Sequence, residues 1–181
     1  MSETTSWDLH HIKAAEHAAT KSKDPSTKVG CVIIGPDNEP RSSGFNGFPR
    51  GVIEEDVERV CVSPDGDPDH PFAVWKLKRT LNSRWERPEK YSWIVHAEAN
   101  AIFNAARVGI PLKGCKLYLN YSPASLCTGC AGAIIQAGIV EVIGPDRLFP
   151  GKGTGVHYDI DIVPKFMFDE AGIIRRVVKD V

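Results

Sequence analysis

Four side chains in two short segments carry the chemistry of this sequence. His96-Ala97-Glu98 brings an imidazole and a carboxylate, and Cys127-Thr128-Gly129-Cys130 brings two thiols. One histidine with two cysteines is a ligand set of catalytic zinc, which keeps three protein donors and leaves the fourth position to water. Structural zinc is closed by four protein ligands. No fourth donor stands near this set at a matching spacing, which favours catalysis over a structural clip or a redox pair. Glu98 lies two residues past His96. On the opening turn of a helix such residues point in different directions, so the carboxylate reaches the open position without ligating. There it is suited to accept a proton from activated water and pass it to a leaving group.

The elements that must hold these groups follow from periodicity. Cys127 to Gly138 reads as a helix that opens at the first cysteine, where free N–H groups and the helix dipole favour thiolate, and stops at the glycine. Ala97 to Val108 reads as a helix with Ile102, Phe103 and Ala106 inward and Gly109-Ile110-Pro111 as its stop. Leu9, Ile12, Ala15 and Ala19 recur at steps of three and four, which makes Trp7 to about Ser22 a helix ended by Asp24-Pro25. Val29 to Gly35 is an apolar run of the kind found in a strand covered on both faces. Pro36-Asp37-Asn38 turns the chain into a strand from about Arg41 to Phe45. Further strands are read at Lys116 to Tyr121, Ile139 to Ile143 and Ile173 to Val178. Asp161 to Ala171 reads as a helix with Pro164 in its first turn and Gly172 at its end. Strands alternating with helices predict an α/β fold, a three-layer α/β/α sandwich, with the metal pocket where two helix N-termini meet the end of the sheet.

At 181 residues, 42% hydrophobic and 25% charged, the chain suffices for one well-buried core and not for two ordinary domains, so residues 1–181 read as a single domain. Residues 52–90 are too long for a simple connection and read as a surface insertion. Within it, a short helix is expected from Pro71 through Phe72, Trp75 and Arg79, and Asp65-Gly66-Asp67-Pro68 is its mobile tip. Cys61 and His70 are candidates for a second, structural zinc, but no second Cys-x-x-Cys or histidine pair completes the set, and ordinary loop residues are the stronger reading. Gly151-Lys152-Gly153-Thr154-Gly155 lacks the Gly-Lys-Ser/Thr ending of a P-loop and reads as a connection. No run approaches the ~20 apolar residues of a bilayer span, and Met1 to Thr5 lacks signal-peptide character. Cys31, Cys61 and Cys115 leave an odd number of spare thiols. A soluble, cytoplasmic protein with reduced cysteines is therefore expected. A net charge of −1 carries no general attraction to nucleic acid.

Four stretches together resemble the cytidine and deoxycytidylate deaminase superfamily. They are Ser22-Lys23-Asp24-Pro25-Ser26-Thr27-Lys28-Val29-Gly30-Cys31, Gly44-Phe45-Asn46-Gly47-Phe48-Pro49-Arg50-Gly51, Val95-His96-Ala97-Glu98-Ala99-Asn100-Ala101-Ile102 and the cysteine helix. The glycine-rich stretch marks the dCMP branch. The resemblance implies a mixed five-stranded sheet, one zinc ion held by His96, Cys127 and Cys130, and Glu98 as proton carrier in the hydrolytic deamination of dCMP to dUMP. It implies that Asn46 binds the sugar and that the Ser26-Thr27-Lys28 turn lines the active site, with Lys28 facing the phosphate. Backbone near Ala97, Ser122 and Pro123 would hold the base edge. Gly47, Phe48, Pro49 and Arg50 would belong to an allosteric nucleotide site, where dCTP with magnesium activates and dTTP inhibits a homo-oligomer, a hexamer by resemblance.

One departure bears on the substrate. In the family a proline directly precedes the first ligand cysteine, whereas Ala124-Ser125-Leu126 separate Pro123 from Cys127 here. The loop that walls the base pocket is three residues longer, which keeps dCTP or a modified cytosine nucleotide in view as substrate. A polynucleotide deaminase would need a basic, aromatic-studded groove, which the overall charge does not suggest. A zinc-dependent nucleotide sensor without turnover would have no use for Glu98.

Overall fold

Ser6 opens the first helix, its hydroxyl accepting from the Leu9 N–H at 3.3 Å. The computed structural model describes residues 6–54, 57–79, 84–147 and 162–179. Helix α1 (Trp7–Ala19) buries His11, Ile12, Ala15 and Ala19 and is capped at Thr20, earlier than the sequence reading placed its end. The chain then enters β1 (Gly30–Ile34), buried along its whole length. β2 (Pro40–Phe45) and β5 (Lys116–Leu119) pair antiparallel with β1 on either side. β6 (Glu141–Pro145) and β7 (Ile174–Val178) continue the sheet in parallel. The order β2-β1-β5-β6-β7 is the mixed five-stranded sheet expected.

Alternation along the strands divides the core in two. Cys31, Ile33, Leu117, Leu119 and Val142 share one core with α3 (Ala97–Arg107), α4 (Thr128–Gln136) and α5 (Val163–Ala171). Val32, Ile34, Tyr118 and Ile143 point the other way, onto Ile12 and Ala15 of α1. Both faces are covered, which is why the central strands read as apolar runs. Each fully buried Leu, Ile or Val contributes about 1.5–3 kcal/mol. Arg176 of β7 adds a polar tie, donating to both carboxylate oxygens of Asp8 in α1 and, at 2.7 Å, to Glu141 of β6. The Tyr118 hydroxyl donates to Asp8 at 3.0 Å.

α3 lies unusually close to the sheet. A Cβ on Gly44 would stand 2.2 Å from the Ala97 carbonyl oxygen and 2.5 Å from the Ala101 nitrogen, so only glycine permits the approach. The same crowding explains a correction. Ala101 and Ala105 form the inward stripe, while Phe103 is 59% exposed and Ala106 faces out. The helix turns its small residues to β2, and the large side chain read as inward has no room there. Asn100 and Asn104 of α3 donate to the carbonyls of Phe45 and Ser43 at 2.8 and 2.9 Å, and Ser42 donates to Ala101 O at 2.7 Å. α5 carries Pro164 in its first turn and ends at Gly172, whose φ of 70° places it in the left-handed region favoured at helix C-termini. Asp161 and the Gly151 to Gly155 run lie outside the described residues.

The chain divides into two compact units, residues 1–47 with 95–181 and Phe48–Ile94. Here the expected helix through Trp75 is a strand: β3 (Val57–Val62) and β4 (Val74–Arg79) pair antiparallel from Val62 opposite Val74 to Val57 opposite Arg79. A six-residue stretch fits either period, and the cross-strand partner decides it for the strand. Asp65 to Pro68 lie in the connection between these strands. Lys90–Trp93 make the short helix α2. The Phe48 ring meets Trp85 edge-on at 4.6 Å, and the Arg84 guanidinium lies 4.1 Å over the Trp93 ring while donating to Ile53 O at 3.0 Å. Among the described residues no helix is long and apolar enough to cross a membrane.

Candidate active site

His96 and Cys127 occupy equivalent places in the fold. Each is the extended residue that caps the N-terminus of a helix, His96 for α3 and Cys127 for α4. The Cys127 sulfur accepts from the Cys130 N–H at 3.4 Å, so the helix end that needs a cap receives a sulfur able to carry negative charge. The two helix starts bring His96 Nδ1 to 3.2 Å from Cys127 Sγ and 3.3 Å from Cys130 Sγ. All three donor atoms lie within 4.8 Å of one another. Zinc, which sits about 2.0–2.1 Å from nitrogen and about 2.3 Å from sulfur, spans donor separations of this size. Among the described residues these three alone form such a group, which leaves a fourth position for water. Among the described residues Cys61 and His70 join no second group; His70 Nδ1 accepts from the Phe72 N–H at 3.1 Å.

Of the three donors, one carries negative charge when no metal is bound. The Cys130 thiol donates to Cys127, and the neighbouring imidazole adds its pull, so Cys127 is held as thiolate at about 4. Cys130 is pushed up by that same charge and by burial, and keeps its proton. The contact with Cys127 raises His96 to about 9, against the opposing effect of burial. Without metal, the pair is an imidazolium beside a thiolate.

Glu98, the second residue of α3, is only 2% exposed. Its Oε2 lies 3.4 Å from Cys130 Sγ, and its Oε1 accepts a short hydrogen bond from the Tyr121 hydroxyl. Burial first, and then the Glu98 charge, push the Tyr121 phenol well above its ordinary value, so it stays protonated and donates. Tyr121 has no place in the motif reading. A signal for it exists in the register: Leu117, Leu119 and Tyr121 share parity and face α3, whereas Tyr118 faces α1.

The turn expected to line the site is tightly built. Asp24 Oδ1 accepts from Ser26 N (2.9 Å), Ser26 Oγ (3.0 Å) and Thr27 N (3.1 Å). Asn46 is buried and knits this turn to β1: its Oδ1 accepts from Val29 N at 2.8 Å, and its Nδ2 donates to Thr27 O at 2.9 Å and Asp24 Oδ2 at 3.2 Å. Both amide hydrogens are committed to the chain. Asn120 moors the turn from the other side, donating to Lys28 O at 3.2 Å and accepting from Gly30 N at 3.1 Å. Ser26 and Lys28 are exposed, and Thr27 is buried.

Gly47 pairs through both backbone groups with Val95, at 3.1 and 2.8 Å, and so anchors the residue preceding His96. Phe48, Pro49 and Arg50 belong to the second unit. Ala97 is fully buried. The Ser122 N–H donates to Arg147 O at 2.7 Å. The three extra residues are not slack, because Pro123–Ser125 form a 3-10 turn that delivers Leu126, fully buried, just ahead of Cys127.

The family model described as the cytidine and deoxycytidylate deaminase zinc-binding region matches residues 5–144. The deoxycytidylate deaminase of Pongo abelii is 30% identical over 170 residues, a match covering 94% of this chain and 78% of that protein. The Mus musculus deoxycytidylate deaminase is 34% identical over 137 residues, 76% of this chain and 63% of the mouse protein's length. Among solved structures, the dCMP deaminase of cyanophage S-TIM5 matches in its apo form with a TM-score of 0.62 at 17% identity, covering 97% of this chain and 100% of that one. Its complex with dCMP and dUMP gives 0.59 at 20% identity, covering 94% and 95%.

Proposed function

The chain belongs to the cytidine and deoxycytidylate deaminase family, and on that premise we propose that it hydrolyses dCMP to dUMP and ammonia. The observation that carries this reading is the three-donor group of His96, Cys127 and Cys130 with the buried Glu98 carboxylate beside it. His96 Nδ1 and the two sulfurs would hold zinc, which when bound supplies Lewis-acid activation of water. Glu98 takes a proton from the attacking water at the oxygen nearer the sulfurs and returns it to the amine nitrogen as the exocyclic bond between the ring carbon and that nitrogen breaks. Atoms balance: one water enters and one ammonia leaves. Glu98 is itself 2% exposed, which keeps the carboxylate out of bulk water.

Substrate contacts are assigned to the turn of Ser26, Thr27 and Lys28, to Asn46, and to backbone near Ala97, Ser122 and Pro123. Lys28 is exposed at the end of that turn, and a phosphate needs a cation. Asn46 serves the sugar by holding the turn in shape and through the remaining lone pair of Oδ1. The chain reads as one deaminase domain, with Phe48–Ile94, a unit with its own contacts, as an insertion. Regulation by dCTP with magnesium and by dTTP in a homo-oligomer, through Gly47, Phe48, Pro49 and Arg50, rests on the motif. Phe103 and Val108, exposed on and just after α3, are apolar surface of the kind a second copy covers. A cytoplasmic setting agrees with five free cysteines.

Ammonia release measured across deoxycytidine, dCMP, dCTP and single-stranded DNA tests the function. dCMP is expected to be turned over fastest, and a preference for any of the others would replace the proposal.

A further inference from the structure

We infer that Tyr121 is a positioning residue for the reaction, its hydroxyl holding Glu98 in the one rotamer that presents a carboxylate oxygen to the reacting atoms. This inference rests on the deaminase reading above.

Glu98 has two oxygens, and the fold treats them differently. Oε1 is taken by the Tyr121 hydroxyl, while Oε2 lies beside Cys130 Sγ at 3.4 Å, toward the three metal donors. The two residues approach from different elements, Glu98 on the first turn of α3 and Tyr121 two residues beyond the end of β5. Both are almost wholly buried, at 2% and 3% exposure. A buried carboxylate on a flexible side chain turns its oxygens toward whatever donors it can find. A donor fixed in the core therefore decides which oxygen is left for chemistry. Tyr121 is itself held by the core it shares with Leu117, Leu119 and Leu126, so it cannot follow the carboxylate. The two sulfurs are set by the first turn of α4, where Cys127 Sγ accepts from the Cys130 N–H at 3.4 Å. The aim of the Glu98 carboxylate depends on the Tyr121 side chain.

Tyr121→Phe keeps the ring and deletes the hydroxyl, and Tyr121→Leu deletes both. A charge-assisted hydrogen bond made by a reacting group is reflected in a rate change of roughly ten- to a hundredfold. Both variants are expected to lose about that much kcat on dCMP, with KM and zinc content unchanged for Tyr121→Phe and a lowered Tm only for Tyr121→Leu. A crystal structure of zinc-loaded Tyr121→Phe is expected to show Glu98 turned away from Cys130 or spread over several rotamers. A kcat within twofold of wild type, or an unmoved Glu98, overturns the inference while leaving the deaminase reading intact. A Tyr121→Phe protein that sheds zinc or melts as low as Tyr121→Leu makes the hydroxyl a structural element and also overturns it. A wild-type protein that releases no ammonia from any of the tested substrates ends both readings.

Discussion

At the residue scale, the proposed reaction needs some groups to hold metal and one to move protons, and substitutions should separate in the same way. Cys127→Ala or Cys130→Ala should abolish both zinc content and activity, since two donors cannot keep a tight site. Glu98→Gln is isosteric and should retain zinc while lowering kcat by about a hundredfold or more, the usual worth of a proton carrier. Metal analysis alongside an ammonia assay reads both, and a Glu98→Gln protein without zinc would make the carboxylate a ligand. The charge state of the group gives a second test. With His96 protonated up to about 9 and Cys130 holding its proton, zinc must displace both, while Cys127, at about 4, has none to give. Adding zinc to metal-free protein at neutral pH should release about two protons per ion, and metal affinity should fall as pH falls. Calorimetry in buffers of different ionisation enthalpy measures the count, and no release would contradict the imidazolium–thiolate pair. The grouping of His96 with Cys127 and Cys130 was legible in the sequence because each of its two segments is a short local motif. Tyr121 was not, since it meets Glu98 across 23 intervening steps of chain through strand register. Asn46 was legible as important but not in what it holds, because its partners Asp24, Thr27 and Val29 come from a segment that only the folded β1–β2 pair brings alongside.

At the scale of elements, the position of α3 decides whether His96 and Glu98 reach the sulfurs, and Gly44 decides the position of α3. Gly44→Ala forces a methyl to within 2.2 Å of a backbone oxygen, which is met only by moving the helix. A loss of about 1–3 kcal/mol is expected from overpacking of this kind. Weakened zinc binding should accompany it, because the displaced helix carries His96, the proposed ligand, at its cap. Gly132→Ala in α4 is the control: its nearest neighbour is Met167 at 3.7 Å, and relief of helical glycine should stabilise the protein by about 0.5–1 kcal/mol. Denaturant melts of both variants, with zinc titrations, check the pair. The same crowding shows why Phe103 misled the sequence reading. A hydrophobic stripe is normally chosen by size, but here the inner face must be small. The ribbon of β3 and β4 misled it for another reason: Val74 to Arg79 is too short for periodicity to discriminate, and its partner strand lies beyond a turn.

For the whole molecule, the Asp8–Arg176 contact ties the first helix to the last strand. Hydrogen bonding from Arg176 holds the Asp8 carboxyl below its ordinary value of 3.8, despite the opposing effect of burial. A group depressed in the folded state contributes stability that is present above the unfolded value and lost as pH falls through the folded one. Wild type should therefore melt above Asp8→Asn near neutral pH, and the difference should shrink as pH drops below about 4. A difference in Tm that persists unchanged in acid would assign the tie to packing instead.

The carbonyls of Ser43 and Phe45, claimed by Asn104 and Asn100, give the sheet unequal borders. A neighbouring peptide seeking to extend the five-stranded sheet past β2 finds these two acceptors already taken. Pairing of a second chain at that border loses two of the bonds it would need, and two asparagines on one helix are what remove them.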